Sequence, residues 1–137
     1  MKKSLLTLLF AFAAISMVAH PPHKFDPEQF QAELEKFITA EVSLSQAESA
    51  AFFPVYRELR KKQRNIFKQI KHYKHVKPTD NKTAAEAIKQ QDKLELEMKE
   101  LLKDYHNKFM TLLPATTVFQ ILKAEDKFHR QLFKGKK

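Results

Sequence analysis

Arg57, Lys61, Arg64, Lys68 and Lys71 recur at spacings that alternate four and three. On a helix that spacing lines five positive charges along one ridge. Beside it runs a second row, one residue every seven: Phe53, Arg60, Phe67 and Lys74. This row alternates ring and cation. A solvated helix face normally mixes signs, so that residues four apart attract. Five like charges in line repel one another unless something neutralises them. The chemistry predicted here is non-covalent: attraction of acidic or anionic partners, with rings offering apolar contact. Long-range attraction of this kind speeds encounter and weakens with salt. The candidate client-binding set is Phe53, Arg57, Arg60, Lys61, Arg64, Phe67, Lys68 and Lys71. A basic binder of nucleic acid or anionic envelope polymer needs the same ridge but not the Phe row. Internal neutralisation is the competing expectation, with the acidic first segment (Glu28, Glu33, Glu35, Glu41) laid over the ridge.

Other chemistry-bearing residues are fewer. His72 and His75 stand three apart and share a helical face, so they are the candidate ligands for a transition metal. A closed site needs three or four ligands. His20, His23, His106, His129 or a second copy of the chain would have to complete it. Otherwise both imidazoles are solvated and help neutralise helix-end carbonyls. Glu125 falls by spacing on an apolar face. A carboxylate is rarely buried unless paired, so a base from the second helix, Arg57 in the first instance, is its expected partner. After residue 19 the serines are Ser43, Ser45 and Ser49 alone, clustered at one helix start where capping explains them. No enzyme is expected, and no cofactor other than that transition metal.

Composition narrows the classes further. The chain has 137 residues, 25 Lys+Arg against 16 Asp+Glu, and a formal charge of +9. It has no Cys, which removes disulfides, Cys-ligated zinc and thiol nucleophiles. Its single Gly is Gly135, which removes phosphate-cradling loops and dinucleotide fingerprints. Tight hairpin turns also want Gly, so strands are not expected. Charge is segregated along the chain. Residues 45–78 hold nine bases and two acids, and residues 20–44 hold two bases and five acids.

Residues 1–19 read as a signal peptide: Met1-Lys2-Lys3, an apolar run from Leu5 to Ala14, then small residues before a cut after Ser16 or Ala19. The run is too short to span a bilayer, and no later run is longer. The expected product is secreted, into a bacterial periplasm, with no transmembrane segment after cleavage. Nucleic acid becomes an improbable partner there.

The elements that must position the ridge are helices. Asp26-Pro27-Glu28-Gln29 is a helix start, with Phe25 and Phe30 at the spacing of a hydrophobic staple. Phe30, Leu34, Phe37 and Ile38 follow on one face, and the helix is expected to end near Ala40. Ser45-Gln46-Ala47-Glu48 is a capping box. Beyond it Phe52, Tyr56, Leu59, Gln63, Ile66, Ile70 and Tyr73 form a heptad seam. Pro54 should kink this helix near its first turns. Lys77 to Asn81 is the turn. A third helix is expected to start between Asp80 and Thr83, with Thr83-Ala84-Ala85-Glu86 as a further capping box. Its seam is Ala87, Gln91, Leu94, Met98, Leu101, Tyr105 and Leu112, flanked by Ile88, Leu102 and Phe109. Leu113-Pro114 breaks the chain, and Thr117 caps a fourth helix with Val118, Ile121, Leu122, Glu125, Phe128 and Leu132 on one side. The reading is all-α, one helical domain over 20–137: a long antiparallel helical hairpin, about 45–76 and 82–112, between short N- and C-terminal helices. No internal repeat of useful length is visible. A thin hairpin cannot bury ten Phe unaided, which points to a homodimer or a client.

This organisation resembles the Spy/CpxP family of periplasmic helical proteins, Bacteroidetes-type, related to ZraP-like and CnrX-like metal-responsive proteins. The residues that carry the resemblance are Leu44-Ser45-Gln46-Ala47-Glu48 and Thr117-Val118-Phe119-Gln120, degenerate copies of a Leu-Thr-x-x-Gln helix-start motif. Phe52-Phe53-Pro54-Val55-Tyr56-Arg57 and Ala124-Glu125-Asp126-Lys127-Phe128 add to it. The resemblance implies a dimeric cradle holding unfolded clients without ATP, or an adaptor that acts on an envelope-stress sensor. A periplasmic heavy-metal sensor using His72 and His75 is the alternative.

Overall fold

The computed structural model describes residues 25–135. Among the described residues there are four helices and no strand: α1 (Pro27–Val42), α2 (Gln46–Lys74), α3 (Asn81–Leu112) and α4 (Ala115–Gly135). The signal-peptide expectation, His20 and His23 lie outside the described residues. The chain divides into two compact units, one ending at Ala32 and the other spanning Glu33–Lys137.

In the first unit the helix start is as the residue types dictate. The Asp26 carboxylate accepts hydrogen bonds from the backbone N–H groups of Glu28 (3.0 Å) and Gln29 (3.4 Å). The Phe25 and Phe30 rings lie 5.6 Å apart, a hydrophobic staple.

In the second unit α1 buries Leu34 and Ile38 completely. It runs two residues past Ala40, because the stop is built at Ser43. Ser43 adopts φ 59°, the left-handed region, and the Leu44 N–H donates to the Thr39 carbonyl at 3.1 Å. That six-to-one bond with a buried Leu44 beyond it is the Schellman closure, here made without glycine. The capping box of α2 is complete: Ser45 Oγ accepts from Glu48 N (3.1 Å), and Glu48 Oε1 accepts from Ser45 N (2.9 Å). α2 is continuous across Pro54. Phe52, Tyr56, Leu59, Gln63, Ile66 and Ile70 are buried along its seam.

α3 folds back antiparallel to α2. Ile66 and Ile70 interlock with Leu94 and Met98, and Tyr73, Leu101 and Leu102 pack against them. α3 starts at Asn81, inside the expected span from Asp80 to Thr83, whereas the expected caps at Thr83 and Thr117 are corrected. The cap of α3 is Asp80, whose carboxylate accepts from the Thr83 N–H at 2.7 Å. Thr83 is already the third helical residue, because nothing after Pro78 prevents the helix from propagating back to Asn81. α4 begins at Ala115 rather than Thr117, and the Pro114 carbonyl accepts from the Val118 N–H at 3.1 Å. One seam expectation also changes. Leu112 is exposed, and Phe109 is buried in its stead. A strict seven-residue repeat drifts about 20° per heptad on a 3.6-residue helix, so over the length of α3 the inward position moves along the chain. Val118, Ile121 and Ala124 form the buried face of α4.

Candidate functional site

The heptad seam of α2 fixes the azimuth of everything else on that helix. Arg57, Lys61, Arg64, Lys68 and Lys71 point away from α3, and the row Phe53, Arg60, Phe67, Lys74 runs between seam and ridge. The two halves of this surface differ.

The N-terminal half is occupied by the chain itself. Arg57 makes a two-pronged bond to Glu35 of α1: Nη2 to Oε1 at 2.6 Å and Nε to Oε2 at 2.8 Å. This holds the Arg57 guanidinium charged even more firmly than usual. The Arg60 side chain is only 15% exposed. Its Nη1 lies 3.9 Å from Glu125 Oε2 of α4 and donates to Gln63 Oε1 at 3.4 Å. Glu125 Oε2 also accepts from the hydroxyl of Tyr56, which is fully buried. Burial first, and then the charge of Glu125, push the Tyr56 phenol far above its ordinary value. A second clasp joins Lys127 of α4 to Glu41 of α1 at 2.5 Å, and the Phe37 and Phe128 rings of the same two helices lie 5.3 Å apart.

Two sequence expectations are therefore corrected. Phe53 was expected to stand uncovered, but it is 5% exposed, packed with Phe52 (5.2 Å) and Tyr56 (6.1 Å). Glu125 does pair with a base of α2, but with Arg60 and not Arg57. Arg60 sits in the row nearer the seam, where α4 packs, whereas Arg57 faces outward to α1. The acidic first segment thus neutralises one residue of the ridge.

The C-terminal half stands open. Lys61, Arg64, Lys68 and Lys71 are exposed. Among the described residues no ion pair engages them. With a rise of 1.5 Å per residue they extend over about 15 Å. Phe67 stands beside them, 54% exposed. An open cleft of about 620 Å³ is lined by Glu58, Lys61, Lys62, Arg64, Asn65 and Lys68. Its one acid, Glu58, accepts from the Tyr105 hydroxyl at 2.8 Å, and that bond holds its carboxyl below the usual range. Lys62 and Lys108 flank the Tyr105 ring at 5.1 and 4.4 Å from its centroid. Of the eight candidate client-binding residues, Lys61, Arg64, Phe67, Lys68 and Lys71 share this open surface, while Phe53, Arg57 and Arg60 are engaged within the chain.

His72 and His75 are both exposed at the end of α2. His75 Nδ1 lies 2.8 Å from the Lys71 carbonyl, and the His75 backbone N–H donates to the Lys71 and His72 carbonyls. The ring is thus turned to the helix end. His106 packs near Phe109, and His129 Nδ1 lies 2.9 Å from the Glu125 carbonyl. Among the described residues no three His, Asp or Glu side chains converge as a metal-holding group.

The Tyr56–Glu125–Arg60 junction is only half legible in the sequence. A carboxylate on an apolar face announced a partner, but nothing in the spacing said which base α4 would meet. Among the described residues no helix is long and apolar enough to cross a membrane. The chain matches no family model, and no curated protein or solved structure shows significant similarity to it.

Proposed function

We propose that this chain is a periplasmic helical binding protein of the Spy/CpxP kind, an ATP-independent chaperone or envelope-stress adaptor that engages unfolded or acidic proteins on one face of α2. The observation that carries the reading is the open strip of Lys61, Arg64, Lys68 and Lys71 beside the exposed Phe67. Four like charges within about 15 Å repel one another, and an acidic partner relieves that repulsion. A half-exposed ring adjoining them adds apolar contact that charge alone lacks. The roles divide accordingly: the cations set the encounter rate and the salt dependence, and Phe67 slows release. Catalysis has no place in this reading.

Light scattering of a denatured test protein, diluted into a several-fold molar excess of the chain, tests it. Suppressed aggregation is expected, reduced by Arg64→Glu with Lys68→Glu and by Phe67→Ala. Full aggregation in the presence of the wild-type chain refutes the chaperone form of the proposal.

A further inference from the structure

Phe53, Arg57 and Arg60 recur fourteen residues later as Phe67, Lys71 and Lys74. The seam beneath them recurs too: Phe52 as Ile66, and Tyr56 as Ile70. Two heptads carry the pattern once into the covered half of α2 and once into the open half. In the covered half the protein shows what such a pattern holds. Helices α1 and α4 reach it, each placing a glutamate on a cation: Glu35 on Arg57 and Glu125 on Arg60. The carboxylate of Glu35 comes from a helix whose neighbouring positions, Leu34 and Ile38, are fully buried. In the open half Phe67, Lys71 and Lys74 are exposed, and among the described residues no carboxylate pairs with either lysine.

We infer that the open half of α2 is a docking site for an acidic amphipathic helix of a partner protein, one that lays apolar side chains on Phe67 and carboxylates on Lys71 and Lys74. This rests on the reading of α2 as a binding face, and narrows its partner from any acidic segment to a helical one. Charge complementarity and the internal precedent specify the occupant. A helix with glutamates one or two turns apart beside an apolar stripe matches cations three residues apart next to a ring. The open half differs from the covered one in its polar groups: lysines stand where Arg57 and Arg60 hold the two glutamates. Ile70 stands where Tyr56 donates its hydroxyl, so the incoming carboxylates are held by ammonium groups alone, and binding is correspondingly more sensitive to salt.

The test uses the full chain and a labelled synthetic peptide of residues 27–42, which is the acidic α1 sequence with four glutamates and one lysine. Fluorescence anisotropy should show saturable binding, weakened at least tenfold by Phe67→Ala and by Lys71→Glu with Lys74→Glu. A peptide with its glutamates changed to glutamine should bind at least tenfold more weakly. Phe67, Lys71 and Lys74 are exposed, and circular dichroism checks that each variant stays helical. No binding at all overturns the inference. So does binding that ignores the α2 substitutions, since the peptide then only exchanges with α1. Equal binding of the glutamine peptide overturns it as well. A chain that sediments as a dimer, and becomes monomeric on Phe67→Ala, assigns the site to a second copy and also overturns it. Aggregation suppression on the same variants separates the two levels. Suppression that needs Phe67 without any peptide binding refutes the helical partner and leaves the client-binding reading standing. Loss of both removes both.

Discussion

Replacing Glu125 by leucine isolates the junction that fixes α4 to α2. Glu125 accepts a hydrogen bond from the hydroxyl of Tyr56, a residue 1% exposed, and faces Arg60, whose side chain is 15% exposed. Leucine keeps the volume and removes both interactions. The stranded Tyr56 hydroxyl costs about 1–3 kcal/mol, because it is desolvated with no acceptor. Loss of the Arg60 contact adds about 1 kcal/mol, since that guanidinium keeps Gln63 and part of its hydration. The expected destabilisation is about 2–4 kcal/mol, a fall in Tm of roughly 10 °C for a chain of this size. Tyr56→Phe alone should cost about 1 kcal/mol, because Glu125 keeps Arg60. The double variant strands no hydroxyl, so it should be no less stable than Glu125→Leu. The coupling between the two sites is then at least about 1 kcal/mol, measured by urea unfolding of all four proteins. Additivity within about 0.5 kcal/mol would refute the argument, since it would mean the hydroxyl and carboxylate do not depend on each other.

Other outcomes follow from the same contacts. The Tyr56 phenol is raised well above its ordinary value of 10.0, so the folded chain keeps a proton that the unfolded chain releases. Stability is therefore full below about pH 10 and falls as pH rises beyond it; phenolate absorbance should show one tyrosine ionising only as helicity is lost, and Tyr56→Phe should remove that step. Phe53→Ala should cost about 3–5 kcal/mol, while Phe67→Ala should change stability by less than about 0.5 kcal/mol and instead weaken client binding; equal unfolding midpoints for the two would contradict their different burial. Ser43→Gly should stabilise the chain by about 1 kcal/mol, because a non-glycine residue at φ 59° is strained; a lower urea midpoint for the glycine variant would exclude the strain.

Much of the architecture was written in short-range terms. Ser45 and Glu48, Asp26 with Pro27, and the four-three recurrence from Phe52 to Ile70 each encode a helix start or a buried stripe within a few residues. Caps and helical periodicity are local, so they survive being read one window at a time. The ridge from Lys61 to Lys71 was legible for the same reason, as spacing on one helix sets a shared face. Tertiary structure decided which part of that face stays free. Whether Glu35 reaches Arg57, whether Glu125 meets Arg60 or Arg57, and whether Phe53 is covered all depend on where α1 and α4 settle against α2. Those contacts join residues 22 and more positions apart, and they form alongside the burial of Leu34 and Ile38 on α1 and of Ile121 and Ala124 on α4. No pattern along the chain carries that packing. The sequence supplied two similar basic and aromatic stretches on one helix, and packing closed one and left the other open.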